Sequence, residues 1–195
     1  VQPFSRCAHL PQAATSRQGD ESLVESFAAV FSRERRLAHT APYPKHGHTG
    51  FAWAARRELL DRCGLYDACL TGSGDHLMAH VFAGFPDAPC IAAMIGRGHR
   101  YAEHFTRWAV ATDRLVAGNL GHVEGRVLHL WHGDRAHRRY RARNSAFRQF
   151  SFDPERHLRR DGCGAWKWAE VPPKMKAWAK SMLVSRREDR GEAPG

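Results

Sequence analysis

Asp75 follows the turn Gly72-Ser73-Gly74 and stands where Leu77, Met78, Val81 and Phe82 take up helical spacing. A carboxylate at a helix N-terminus is held in place by the peptide dipoles, so it serves either as a fixed general base or as a plain N-cap. The glycines before it admit positive φ and close approach of another chain or ligand. Further on, His129 and His132 bracket Leu130-Trp131. Imidazole nitrogen ligates Mn2+ alongside carboxylates, but residues three apart on a straight strand face opposite sides. Joint ligation therefore requires a turn at His132-Gly133; without it, one histidine is structural and the other lies at the surface.

His76 and His80 stand four apart on a helix, with no obvious third ligand and without the Glu of a zinc-protease motif. The arginines 135, 138, 139, 141 and 143 form a basic run whose guanidinium forks match phosphate oxygens. The same run also suits a solvated helix face or nucleic acid. Trp166 and Trp168, flanking Lys167, read either as a sugar-stacking platform or as core and edge aromatics.

These residues need elements to hold them. Leu23, Val24, Phe27, Val30 and Phe31 fall on one helical face, with Asp20 as the cap and the charged run Arg33 to Arg36 as the end. Ala38 to His48 is a loop broken by Pro42, Pro44 and Gly47. Thr49 to Ala55 predicts a buried strand, and Arg57 to Cys63 a short helix stopped by Gly64. The helix at Asp75 runs to Gly84. Pro89 to Ile95 predicts a second strand, Tyr101 to Val116 a helix, and Val123 to Trp131 a strand turning at His132-Gly133. Asp134 to Arg148 reads as a basic helix, and Asp153-Pro154 opens another. One domain over residues 1–184 with a disordered charged tail over 185–195 accounts for the length.

The chain has 195 residues and a formal net charge of +10 before its 13 histidines are counted, which favours a polyanionic or phosphorylated partner. A hydrophobic fraction of 43% excludes wholesale disorder. The longest uncharged apolar stretch, Ala88 to Gly96, is less than half of the roughly 20 residues needed to cross a bilayer, so no membrane span is expected. The five cysteines are odd in number and contain no Cys-x-x-Cys, which points to a reducing cytoplasm, with Cys90 as a small buried hydrophobe. No secretory signal opens the sequence at Val1.

The stretch Gly50-Phe51-Ala52-Trp53-Ala54-Ala55-Arg56-Arg57, followed by Gly64-Leu65-Tyr66-Asp67, Gly72-Ser73-Gly74-Asp75 and Met78, resembles the central signature of GT-A fold glycosyltransferases. The resemblance is to family 2-like enzymes, with similarity to the C-terminal motifs of the β-1,4-galactosyltransferases. The run Arg126-Val127-Leu128-His129-Leu130-Trp131-His132-Gly133-Asp134-Arg135 is similar to the family's later block, where histidines complete a manganese site. The resemblance covers about residues 48 to 145, with both blocks in the family's order and spacing.

The resemblance implies an α/β fold, a GT-A-like mixed sheet flanked by helices. It also implies an inverting, metal-dependent transfer of a sugar from a nucleotide-sugar donor to a saccharide or other hydroxyl acceptor. Asp75 would be the catalytic base; Gly72, Ser73, Gly74 and Trp53 would receive the acceptor. His132 and His129 would bind Mn2+ (or Mg2+), and Arg135, Arg138 and Arg139 would take the phosphates. The family's Asp-x-Asp occurs nowhere in this chain, so the expectation is an acceptor-side, C-terminal half whose nucleotide-binding half lies upstream. The competing class is a basic nucleic-acid-binding module, which is disfavoured because the arginines are not interleaved with aromatics as a single-strand platform requires. A decayed, inactive transferase scaffold is the third possibility.

Overall fold

The computed structural model describes residues 1–11, 23–42, 45–133 and 135–186. The chain is a mixed α/β structure. Its main sheet has three strands, β1 (Arg6–His9), β2 (Leu23–Glu25) and β3 (Arg126–His129), in the order β2-β1-β3. β1 runs antiparallel to β2 and parallel to β3, with Arg6 opposite Arg126 and His9 opposite His129. Helices α1 (Phe27–Arg33), α2 (Arg35–Thr40), α3 (Arg57–Cys63), α4 (Gly74–Phe82), α5 (Pro89–Ile95) and α6 (Arg100–Val116) follow, with α1 packed on α2 and both α3 and α4 on α6. The rest comprises α7 (Tyr140–Phe147), α8 (Pro154–His157), a hairpin of β4 (Leu158–Arg160) with β5 (Trp166–Trp168), and α9 (Pro173–Ser185). Among the described residues, no helix is long and apolar enough to cross a membrane.

Three expected elements differ. The helix assigned from Asp20 begins instead at Phe27, because Ser26 is the cap and its hydroxyl accepts from the Ala29 amide at 3.1 Å. Leu23–Glu25 is spent on pairing with β1, and Asp20 lies outside the described residues. The apolar spacing thus spans a strand followed by a helix, and a short period alone does not separate the two. A buried glutamine completes the cap: the Gln2 carbonyl accepts from the Ala28 amide at 2.7 Å, while its amide donates to the His48 carbonyl at 3.1 Å.

Pro89–Ile95 is a helix, not a strand. Pro89 sits in its first turn, where a missing N–H costs nothing. Ile91 and Ile95 share the buried face, and Gly96 ends it at φ +82°. Thr49 to Ala55 forms no strand either, because side chains take its backbone groups. The Trp53 indole N–H donates to the Thr49 carbonyl at 2.8 Å, the Gly50 amide donates to His48 Nδ1 at 3.0 Å, and Phe51 adopts φ +73°. Helices α3 and α6 lie where the periodicity places them, and Asp153 caps α8 through the Glu155 amide. The basic segment is split: a 3-10 turn at Arg135–Arg138 precedes α7. Residues 187–195 of the proposed tail lie outside the described residues, and Ser185 still ends α9.

Helix α4 matters most for position. Leu77 and Val81 join the main core with Ile91, Tyr101, Phe105 and Phe147. Ala79 and Ala83 join a second core with Phe27 and Phe31. The helix is therefore anchored from two sides. β3 forms one sheet edge, and Leu128 and Leu130 beside it are exposed.

Candidate active site

The parallel β1–β3 pair ends on His9 and His129, directly opposite in register, with ring centroids 5.1 Å apart. The strand stops there, and the chain turns so that His132 comes back onto His129, Nε2 to Nε2 at 3.0 Å. The strand expected over Val123 to Trp131 is confined to Arg126–His129, so the chain turns at Leu130-Trp131 and not at His132-Gly133. Two adjacent imidazole ligands on one divalent ion stand about 3 Å apart at N–metal bonds near 2.1 Å, so the spacing of the pair fits shared coordination. The donor set is only partly that of a hard ion, since two imidazoles lack the carboxylate that Mn2+ favours.

The second part of the site comes from the loop between α2 and α3. His48 is tied to the sheet side by two backbone bonds: its amide donates to the Glu25 carbonyl at 2.8 Å and its carbonyl accepts from Phe27 at 3.0 Å. The Gly50 amide occupies His48 Nδ1, so the ring proton sits on Nε2. Phe51, forced into positive φ, stacks on His48 at 4.1 Å and lies 4.7 Å from the His129 ring. A bulky residue in that region costs of order 1–3 kcal/mol and persists only where its surroundings hold it. Here it bridges the two halves of the site.

Asp75 lies in the first turn of α4. Its Oδ2 accepts from the Thr49 hydroxyl at 3.3 Å. A Cβ built on Gly50 would fall 2.8 Å from that oxygen and 3.0 Å from His48 Cε1. Gly50 is therefore the gap in which carboxylate and imidazole stand side by side. Gly72 (φ +76°) and Ser73 (φ +64°) turn the chain into α4. Behind them, burial pushes the Cys69 thiol up to about 12, which leaves it protonated and rules it out as a thiolate nucleophile.

Arg143 is the second bridge. It is buried, donates to the Ser73 hydroxyl at 3.2 Å and to the Arg138 carbonyl at 3.2 Å, and lies over the Tyr140 ring. Arg138 in turn places its guanidinium 2.7 Å from His132 Nε2. Two chains of contacts thus link the start of α4 to the histidine pair: Asp75 through Gly50, His48 and Phe51 to His129, and Ser73 through Arg143 and Arg138 to His132.

Other candidates fall elsewhere. Trp53 braces the loop: its ring packs on Phe82 at 5.7 Å and against the second core, behind Thr49. Arg139 turns the backbone at φ +43° with an exposed side chain, and Arg135 opens the 3-10 turn. Trp166 and Trp168 pack against the main core, with Arg160 over Trp166 at 4.0 Å. Cys90 is half-buried on α5, its thiol 3.2 Å from His80 Nε2, so it is a polar partner and not merely a small hydrophobe.

His9, His48 and Phe51 are the residues that motif reading alone does not single out as site residues, whereas Arg143, read in the basic run as a phosphate clamp, is buried and bridges Ser73 and Arg138. His9 declares itself only through the parallel register, and Phe51 only through its φ. Comparison with family models, with curated proteins and with solved structures gives no match for this chain.

Proposed function

We propose that the chain is the acceptor-side part of a GT-A-type, inverting glycosyltransferase. The observation that carries this reading is that a carboxylate held by Thr49, Asp75, is joined through His48 and Phe51 to the His129–His132 pair at the carboxyl ends of parallel strands β1 and β3. Ligands gather at such ends in α/β folds.

On this reading Asp75 takes the proton of the acceptor hydroxyl as that oxygen attacks the anomeric carbon. Thr49 holds the carboxylate by the oxygen it does not need for that transfer. Gly50 keeps a side chain out of the space beside Asp75, and Gly72 leaves room for the Arg143 guanidinium. His129 and His132 would hold a divalent ion, Mn2+ or Mg2+, which when bound supplies charge neutralisation to a nucleotide diphosphate leaving group. Arg138, now against His132 Nε2, would turn from the imidazole to the phosphates that arrive with the ion. The Asp-x-Asp carboxylate and the nucleotide pocket would come from outside this sequence.

The test is calorimetric titration of Mn2+ into the full-length protein with a uridine or guanosine diphosphate sugar present. His132→Ala is expected to weaken Mn2+ binding by ~10-fold or more. Equal affinity in wild type and variant would remove His132 from the site.

A further inference from the structure

Apart from those residues, three imidazoles meet between the loop that carries His48 and helix α4. His76 and His80, four apart on α4, face His46 from the loop that carries His48. Ring centroids are 4.4 Å apart for His76–His80 and 5.2 Å for His46 with each of the others. One nitrogen of each lies within 4.8 Å of the other two. The third ligand that the spacing of His76 and His80 does not reveal is supplied by tertiary structure.

Hydrogen bonds have already selected the ligand-ready tautomers. His80 Nδ1 donates to the His76 carbonyl at 2.9 Å, and His46 Nδ1 donates to the Gly47 carbonyl at 2.9 Å. In both rings Nε2 therefore carries the lone pair, and the backbone contact plays the orienting part usual for metal-bound histidine. His76 Nε2 is buried and makes no hydrogen bond among the described residues. Leaving such an atom unsatisfied costs about 1–3 kcal/mol, a cost that coordination removes. Burial also holds all three rings neutral, driving His76 well below its ordinary range and His80 down to about 4. Neutral imidazole is the ligating form.

We infer that His46, His76 and His80 form a structural site for a Zn2+-type divalent ion, which staples the 46–50 loop to helix α4. Three imidazoles suit Zn2+ and its late first-row neighbours better than Mg2+ or Mn2+. A tetrahedral zinc site separates its nitrogens by about 3.3 Å, so the rings close by about 1.5 Å at most. Cys90, whose thiol donates to His80 Nε2 at 3.2 Å, gives up that hydrogen bond when the ion enters. The consequence is positional: the loop bears His48, Thr49 and Gly50, and the helix bears Asp75, so the ion fixes the distance between that loop and Asp75.

The experiment uses Zn2+ alone as the probe on the full chain, stripped with a chelator and then titrated. Wild type is expected to take up one Zn2+, to gain thermal stability on doing so, and with Co2+ to show the intense visible bands of a four-coordinate site. The same uptake is expected in the His129→Ala/His132→Ala variant, which separates this site from the proposed catalytic one. His76→Gln and His80→Gln are each expected to weaken uptake by ~100-fold or more. If either variant fails to fold, the Co2+ spectrum and the Zn2+-dependent melting shift of the double alanine variant decide. Absence of both, unchanged affinity in His76→Gln, or loss of uptake in the double alanine variant overturns the inference.

Discussion

Replacing Gly50 by alanine separates the site's geometry from the protein's stability. The new methyl would stand 2.8 Å from Asp75 Oδ2 and 3.0 Å from His48 Cε1, closer than a carbon atom tolerates. Both neighbours are side-chain atoms, and the carboxylate can swing. The backbone at Gly50 needs no positive φ, so alanine adds no strain of its own. The cost to folding is then the Thr49–Asp75 hydrogen bond, about 1 kcal/mol. On the proposed reading the cost to catalysis is larger, because Asp75 as the base must move by several tenths of an ångström and the acceptor loses the space beside it. Misplacement on the scale of 1 Å costs about 100-fold, so a drop of ~10- to 100-fold in turnover is expected. Urea unfolding and steady-state sugar transfer by the full-length protein, run in parallel, read the two quantities. Unchanged turnover, or a stability loss of several kcal/mol, would refute the reasoning.

Gly47→Ala should behave in the opposite way, since its Cβ would meet backbone, Ser26 O at 2.6 Å and Phe27 Cα at 2.9 Å, at φ +82°; a loss of ~3 kcal/mol or more is expected by urea melts, as for other changes that break a strained backbone position. Asp161 closes the β4–β5 turn by accepting from the Cys163 and Ala165 amides, and the Lys167 ammonium together with these amides holds its carboxyl below its ordinary value. A depressed carboxyl favours the folded turn above the unfolded pKa of about 4, and that contribution is lost as pH falls through the lower folded value. Amide shifts of Cys163 and Ala165 should therefore titrate together below pH 4, and should not in Asp161→Asn.

Much of the positioning machinery is legible in the sequence. Arg57–Cys63 and Arg100–Val116 combine helical spacing with glycine stops, and Asp75 is marked by the glycines before it. What is not legible depends on partners distant in the chain. β1 has four residues and earns its place by pairing with β3, more than a hundred residues away. Thr49 to Ala55 has strand-like composition, yet His48 and Trp53 capture its backbone. Pro89–Ile95 is a uniform apolar run whose period does not discriminate, and only the proline in its first turn points to helix. For the same reason His129 and His132 are visible as a pair, whereas His9, His46 and His48 gain their neighbours from register and loop placement.

The central claim is that Asp75 removes the acceptor proton, and the most direct measurement is sugar transfer by Asp75→Asn in the full-length protein with nucleotide-sugar and Mn2+ saturating. Asparagine keeps the shape and the Thr49 contact but cannot take a proton. Donor binding and melting temperature are expected to match wild type while turnover falls by ~100-fold or more. Near-normal turnover in this variant would contradict the account.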